Sequence, residues 1–277
     1  MANCALLRPE PDNTSHAVVR KGFWEPVTAT IDWCEDNYEV SEYIVEFWNA
    51  VSSLLFVVAG LAGVGWHGQL PVKARIAYLG VVLVGIGSFL FHGTLKFSMQ
   101  LLDELPMLYT EAFMISCFCQ FWVLKAGILV FCLMFTAAYV HLKSPIIFQA
   151  SYGCLQVICL GIYFSGVYKH KNKDLWRVFF CSVFFTAFAF LLWNLENHLC
   201  HSCIRPWKKL IPVPVLLELH AWWHVFSCIG AYFFITGMAY LMPDVQAMRP
   251  VIVFCCFGLV PVLQVQSFER VSKRRLS

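Results

Sequence analysis

Three histidines are spaced so that they could bind one metal ion. His220 and His224 are four residues apart, and on a helix of 3.6 residues per turn their side chains lie about 40° from each other, so both can face one ion. His92 can supply a third ligand, which leaves a fourth tetrahedral position for water, as a catalytic zinc ion requires. A lone histidine in an apolar helix more often hydrogen-bonds a neighbouring helix, whereas three that converge favour zinc.

Acidic and hydroxyl side chains near His92 could carry acid–base chemistry. Asp103 follows His92 by eleven residues, across a predicted turn, and could hold or deprotonate the metal-bound water. Ser88 lies one helical turn before His92 and could donate a hydrogen bond to an oxyanion. A serine in a membrane helix more often packs or bonds its own backbone. The pattern therefore indicates a role for Asp103 and leaves both interpretations of Ser88 open.

An acidic segment precedes the first predicted helix. Residues 32–37 include Asp32 and Glu35, and Glu46 follows near the start of that helix. Such a density of carboxylate oxygens suits calcium, although the loop lacks the glycine of an EF-hand. The alternative is a solvated face that caps the helix. Glu46, already near lipid, needs a cation or a hydrogen-bonding partner in either case.

The chain that carries these residues is strongly apolar. Of its 277 residues, 59% are apolar and 13% are charged, whereas soluble domains carry about 25% charged residues. Stretches of roughly 20 apolar residues, long enough to cross a bilayer, recur along it. The sequence predicts an all-α integral membrane protein with seven transmembrane helices near residues 43–66, 74–93, 103–123, 126–142, 146–167, 176–200 and 216–241. Residues 251–265 are too short for an eighth span.

Helix order places the candidate site residues in one layer. Because chain direction alternates with each span, the end of the second helix (His92) and the start of the third (Asp103) lie on the side of the N-terminus. The start of the seventh helix, with His220 and His224, lies on the same side. Ionisable groups at membrane depth are costly and indicate function by default. We therefore expect one polar site at this face.

Basic residues predict the orientation. With seven helices, twelve of the 20 lysines and arginines lie on the side away from the N-terminus, including the run Lys273, Arg274 and Arg275. The positive-inside rule then places the N-terminus in a lumen or outside the cell and the C-terminus in the cytosol. We divide the chain into a lumenal segment with the acidic loop (1–42), a seven-helix catalytic domain (43–241) and a cytosolic tail (242–277).

The overall charge and the N-terminal segment add two further observations. The net charge of the whole chain is only +3, and membrane orientation explains the basic residues at helix ends without a nucleic-acid partner. The sequon Asn13-Thr14-Ser15 is an acceptor motif for N-glycosylation whose use stays open.

Most of the 13 cysteines are typical small apolar helix residues. Cys34 and Cys200 differ, because both are predicted on the lumenal side, where a disulfide can persist. We expect these two to be linked, which would tie the N-terminal segment to the end of the sixth helix.

Ordered blocks along the chain resemble the alkaline ceramidase family, and its phytoceramidase-type branch in particular. The similarity runs from about residue 22 to residue 240. The blocks are Asp32-Trp33-Cys34-Glu35-Asp36-Asn37 with Glu46-Phe47-Trp48-Asn49, then Gly87-Ser88, His92-Gly93-Thr94-Leu95-Lys96 and Leu101-Leu102-Asp103-Glu104-Leu105-Pro106, then Trp193-Asn194-Leu195-Glu196-Asn197, and His220-Ala221-Trp222-Trp223-His224.

The resemblance implies a seven-helix amidohydrolase of the endoplasmic reticulum or Golgi membrane. It would cleave the amide bond of ceramides, including phytoceramide or unsaturated ceramides, to a sphingoid base and a fatty acid. By that likeness, a catalytic zinc ion binds to His92, His220 and His224, while Asp103 and Ser88 serve the chemistry. A structural or regulatory calcium ion would bind to Asp32, Trp33, Glu35, Asn37 and Glu46, with the Trp and Asn contributing backbone carbonyls. The partners would be ceramide and the bilayer, with the oligomeric state open.

Two other classes of protein fit some of these features. A heptahelical lipid-sensing receptor of the adiponectin-receptor type resembles the chain in helix count and zinc placement. A metal transporter would need polar residues along a path at mid-membrane. This chain instead gathers its polar residues at one face, and the N-terminal acidic block favours the hydrolase over the receptor.

Overall fold

The computed structural model describes residues 21–265, which form seven long helices followed by a small hairpin. The sequon at Asn13 and the basic run Lys273–Arg275 lie outside the described residues. Short π-helical and 3-10 turns cover Cys200–Ile204 and Pro214–Leu217. The elements are α1 Phe47–Trp66, α2 Val72–Thr94, α3 Phe97–Phe118, α4 Trp122–Leu142, α5 Pro145–His170, α6 Lys173–Leu199, α7 Arg205–Lys208, α8 Leu219–Leu241, α9 Pro243–Gln246, β1 Pro250–Cys255 and β2 Val260–Val265.

Within residues 21–265, six helical stretches are long and apolar enough to cross a membrane: α1, α2, α4, α5, α8 and a stretch that begins with α6. The third long helix, α3, has 22 residues, but it is more polar, because it carries Asp103, Glu104 and Glu111. The chain is therefore a helical protein of multi-pass membrane character. The count of seven spans, the orientation and the division into three regions stay predictions.

Helix α3 begins at Phe97, six residues before the predicted start at Asp103. Hydropathy locates the edge of an apolar stretch, whereas a helix begins where backbone hydrogen bonding can begin. Leu95 ends α2 in the left-handed conformation, with φ of 44°, and α3 starts two residues later. Asp103 therefore lies well inside α3. Glu46, expected in the first turn of α1, instead immediately precedes that helix.

Helix α2 packs between α1 and α3, and α8 packs against both α6 and α1. Most of α8 is buried, so this helix forms the centre of the molecule. Helix α2 approaches α3 closely at Gly87, where an added Cβ would lie 1.9 Å from the Leu102 carbonyl oxygen. Only glycine fits this distance, and the close approach brings the next residue, Ser88, beside α3.

Residues 250–265 form an antiparallel hairpin rather than a helix, so the expectation of an all-α chain omitted one element. Valine and isoleucine in β1 favour strands, and Gly258, with φ of 79°, occupies a left-handed position that glycine adopts without strain. The hairpin is packed against α8: Leu263 is fully buried, and the Tyr232 hydroxyl donates to the Pro261 carbonyl at 3.0 Å.

Candidate active site

His92, His220 and His224 come together between α2 and α8. One ligand nitrogen from each lies within 4.8 Å of the others, and all three side chains are buried. His92 Nε2 has no hydrogen-bond partner among the described residues. Three buried nitrogens that converge on one point, one of them unpartnered, fit a transition-metal ion such as zinc. The three histidines therefore converge, as predicted from the order of the helices.

Two of these histidines have a polar contact that fixes the ring. His92 Nδ1 lies 2.5 Å from Glu46 Oε2. His224 Nδ1 lies 2.8 Å from Ser52 Oγ, whose hydroxyl donates to the Asn49 carbonyl and so is left to accept from the imidazole. With Nδ1 as donor in both rings, each Nε2 carries the lone pair that a metal would bind, which is the arrangement common among metal-binding histidines.

The third histidine, His220, is held differently. Its Nδ1 lies 3.3 Å from Glu196 Oε2, without hydrogen-bond geometry, and its ring stacks on Trp33 with centroids 3.7 Å apart. Sequence reasoning did not identify the roles of Glu196 and Ser52. Glu196 could have been found as an ionisable residue near the end of a predicted span, in a block of the resemblance. Ser52, in the middle of an apolar run, carries no such signal.

Ser88 and Asp103 lie beside His224. The Ser88 hydroxyl is 3.4 Å from His224 Nε2 and 2.8 Å from Ser53 Oγ, so it faces the cluster of three histidines rather than its own backbone. The Asp103 carboxyl interacts with the Ser88 side chain. The two predicted catalytic side chains therefore reach the histidines from one side, which is the side of the adjoining cavity.

This cavity extends from the three side chains of Ser88, Asp103 and His224 into the helix bundle. It contains about 820 Å³ of space, part of it open to the surroundings. On α3 its lining reaches from Asp103 to Met114, which is about 16 Å of helix. Apolar side chains form most of the wall: Phe56, Val81, Val84, Met107, Met114, Phe234 and Ile235. A long, apolar cavity that ends at polar groups suits a lipid chain with a reactive head.

The N-terminal segment crosses the face of the bundle next to the histidines. The backbone N–H groups of Thr28 and Ala29 donate to the Leu95 carbonyl, and the Thr30 N–H donates to Gln100 Oε1 at 2.8 Å. Trp33 then lies directly over His220. The segment is thus hydrogen-bonded to the C-terminal end of α2 and the N-terminal end of α3, and it covers His220.

A disulfide and an ion pair hold the same segment to the other half of the bundle. Cys34 and Cys200 are bonded, as predicted, and the Cys34 N–H donates to Glu196 Oε1 at 3.1 Å. The Lys208 ammonium donates to the Cys34 carbonyl at 3.0 Å and to Glu218 at 2.7 Å. Burial raises the pKa of Glu218, while Lys208 lowers it. Because Glu218 immediately precedes α8, this network also positions His220.

The match to known families is extensive. The family model described as Ceramidase matches residues 25–257. The chain belongs to the ceramidase family. Alkaline ceramidase 3 of Mus musculus is 36% identical over 266 residues, which cover 90% of this chain and 97% of that protein. Alkaline ceramidase YPC1 of Saccharomyces cerevisiae is 32% identical over 248 residues, covering 79% and 78%, and an Arabidopsis thaliana alkaline ceramidase is 26% identical over 252 residues, covering 88% and 95%.

In this ceramidase, Glu35 is used to cap a helix. Its two carboxylate oxygens accept from the backbone N–H groups of Trp48 at 2.7 Å and Asn49 at 2.9 Å, which satisfies two donors at the N-terminus of α1. Burial nevertheless raises the pKa of Glu35 to about 8. Glu35 thus caps α1 from a buried position rather than on a solvated face. Each oxygen keeps a lone pair that a cation could use, and a nearby cation would keep the carboxyl ionised at neutral pH.

The other predicted calcium ligands surround Glu46. Its Oε1 accepts from the Trp33 N–H at 2.9 Å, and its carboxyl interacts with Asp32, which also interacts with the Asn37 side chain. Asn37 Oδ1 and Asn49 Oδ1 are buried without partners in the described part of the ceramidase. Carboxylates beside unpartnered amide oxygens fit a calcium ion. The carboxylates do not converge as tightly as the histidines, so backbone or amide oxygens would be needed too.

Two further histidines lie near predicted helix ends. His67 is fully buried and stacks on Tyr78 with ring centroids 5.0 Å apart. His198 is exposed. Neither belongs to the group of three that could bind an ion.

Proposed function

We propose that this ceramidase-family hydrolase cleaves the amide bond of ceramides at a zinc ion bound by His92, His220 and His224, and releases a sphingoid base and a fatty acid. The observation that carries the proposal is that the cluster of three histidines adjoins a long apolar cavity, which His224 lines together with Ser88 and Asp103. The names of the relatives, all alkaline ceramidases, support the same substrate class.

When bound to the histidines, zinc would polarise the amide carbonyl and lower the pKa of water, so that a stable amide becomes hydrolysable. The residues of the chain supply the proton transfers. Asp103 takes a proton from the attacking water and passes it to the departing nitrogen as the C–N bond breaks. Ser88 donates a hydrogen bond to the oxygen that gains negative charge. Both side chains line the cavity, which supports these roles.

A calcium ion would hold the N-terminal segment in place. Its ligands would be Asp32, Trp33, Glu35, Asn37 and Glu46, with Trp33 and Asn37 contributing backbone carbonyls. Glu46 contacts His92 through one oxygen and the segment through the other, so the two metal sites would be coupled through one side chain. We assign the ion a structural or regulatory role because Asp32 and Glu46 would repel each other without it.

In the membrane, all seven long helices would span, α3 with its carboxyls turned toward the bundle. The positive-inside rule places the N-terminal face in the lumen, and the disulfide between Cys34 and Cys200 supports an oxidising compartment on that side. We propose residence in the endoplasmic reticulum or Golgi membrane. Phytoceramide and unsaturated ceramides are included among the substrates. Family membership does not favour the receptor alternative.

The test is hydrolysis by the purified protein in detergent micelles. A panel of ceramides is supplied with and without a zinc chelator, and free sphingoid base and bound zinc are measured. Replacing His92, His220 or His224 with alanine should abolish turnover and lower zinc content, because two protein ligands hold the metal weakly. His198→Ala, an exposed histidine near the same face, is the matched control. Normal turnover by a zinc-free variant would contradict the mechanism.

A further inference from the structure

A small polar patch interrupts the apolar lining of the cavity at a distance from the three histidines. It consists of Glu111 on α3 and Tyr152 and Gln156 on α5. Glu111 is 9% exposed, and its Oε2 has no hydrogen-bond partner among the described residues. None of these three residues takes part in the proposed reaction.

The contacts of Glu111 within the protein satisfy only part of its carboxyl. The Cys159 thiol donates to the Glu111 backbone carbonyl at 3.7 Å and also interacts with the Glu111 side chain. Oε2 is left without a hydrogen-bond partner among the described residues. An unsatisfied buried acceptor costs about 1–3 kcal/mol, and an ionisable residue at membrane depth is costly in its own right. A leucine or methionine would line the cavity without this cost, so the carboxyl points to a ligand that satisfies it.

The two α5 side chains are placed to act with Glu111. Tyr152 and Gln156 are four residues apart on one face of the helix, and neither side chain makes a hydrogen bond within the part of the chain that the structure describes. Together the three offer a carboxyl, a phenol hydroxyl and an amide. This set can both accept from and donate to a hydroxyl group.

The depth of the patch limits which part of a lipid can reach it. Glu111 lies eight residues beyond Asp103 on α3, which is about 12 Å along the helix axis. An extended chain advances about 1.2 Å per bond, as in a polypeptide backbone. A group that meets Glu111 is therefore about ten bonds from the scissile amide, far beyond the hydroxyls next to the amide.

We propose that Glu111, with Tyr152 and Gln156, forms a subsite for a hydroxyl group carried near the middle of a ceramide hydrocarbon chain. The inference rests on the proposed function, because it takes the amide to lie at the histidines. The lipid hydroxyl donates to Glu111 Oε2, and its oxygen accepts from Tyr152 or Gln156. This hydroxyl group can be carried by the acyl chain or by the sphingoid chain of the ceramide.

The experiment compares ceramides that differ in one hydroxyl. In one pair the acyl chain is stearoyl or a stearoyl with a hydroxyl about ten carbons from the carbonyl. In the second pair the sphingoid chain differs in the same way. The ratio of kcat/KM for the hydroxylated over the plain ceramide should be about ten or more in at least one pair, because a site with buried polar groups rejects a ligand that leaves them unpaired.

Variants at Glu111 test the residue itself. Glu111→Met should reduce the ratio to about one and raise turnover of the plain ceramide, whereas Glu111→Gln, which keeps an acceptor, should retain most of the preference. Met114→Leu, a volume-conserving change in the same cavity, should leave the ratio unchanged. The pair that shows the preference identifies which chain enters the cavity.

Competition of the same ceramides against a fluorescent ceramide measures the preference without turnover. A ratio near one in both pairs for the parent protein, in turnover and in binding, would overturn the subsite while leaving the hydrolase intact. A ratio unchanged by Glu111→Met would do the same. A binding preference without release of sphingoid base from any ceramide would instead overturn the proposed function and keep the subsite.

Discussion

At the scale of single residues, the proposed proton transfers depend on Asp103, which reaches the site because α2 and α3 approach closely. Asp103→Asn keeps the shape of the side chain and leaves the three histidines in place as ligands. We expect the variant to bind zinc normally and to lose about 10²–10⁴-fold in kcat, the usual contribution of general acid–base catalysis. Zinc content and turnover are measured on the same preparation.

The exposed Asp36 gives a control, because Asp36→Asn removes a nearby carboxyl that does not line the cavity. Turnover of the Asp103 variant within a few-fold of the parent would mean that this carboxyl serves only the packing of α3.

Glu46 joins the two proposed metal sites through its two oxygens, one on His92 and one on the Trp33 backbone. Glu46→Gln should therefore weaken zinc binding by about 10–100-fold, as loss of a carboxylate partner of a ligating histidine does. It should also shift the calcium needed to restore activity after chelation to a higher concentration, with zinc kept saturated. Glu42→Gln, at an exposed position nearby, controls for the loss of charge. If the zinc affinity and the calcium requirement of Glu46→Gln both equalled those of the parent, Glu46 would serve only at the N-terminus of α1.

The convergence of the three histidines could be predicted from residue types and spacing, because two lie one turn apart and the third lies at the same depth. The residues that orient them could not. Ser52 touches His224 from another helix, and a contact across helices has no trace in local sequence. Glu35 carries a second function that its acidity did not indicate, because each of its oxygens accepts a backbone N–H at the N-terminus of α1. Its place among the calcium ligands stays a prediction.

At the scale of elements, the contact between α2 and α3 at Gly87 sets the position of Asp103. Gly87→Ala places a methyl group where the Leu102 carbonyl already lies, so α3 must shift. We expect a loss of about 1–3 kcal/mol in the free energy of unfolding and a larger proportional loss of activity. Thermal unfolding and ceramide turnover are the measurements.

Gly93, in the same helix, provides a matched control, because a Cβ added there meets no atom within 4 Å. Gly93→Ala should be close to neutral in stability. If the two alanine variants behaved alike, the close approach at Gly87 would not be what positions the carboxyl.

Helix existence could be predicted, whereas helix ends could not. Hydropathy reports where an apolar stretch begins, so the predicted start of α3 was Asp103. The helix in fact begins six residues earlier, at Phe97. The hairpin was missed for another reason: residues 250–265 were judged only by whether they could span a bilayer, although valine and isoleucine there favour strands.

At the scale of the whole molecule, chain direction alone predicted which face holds the site, because alternation of spans does not depend on packing detail. The path of the N-terminal segment could not be predicted, since it has no periodicity. Contacts far apart in sequence fix it, such as Thr30 with Gln100 and Trp33 with His220. A protein whose site is closed by such a segment will be sensitive to changes far from the helices that bear the histidines.

The bond between Cys34 and Cys200 joins residues 166 positions apart and so makes most of the bundle one covalent ring. A protease site inserted at Lys171, in the exposed link between α5 and α6, should open this ring without dividing the protein. After cleavage, electrophoresis in denaturing detergent should give one band without reductant and two bands with it. A site at the exposed Lys209, beyond Cys200, should release two bands in both lanes. Two bands without reductant from the first cut would mean that the ring is open in the native protein.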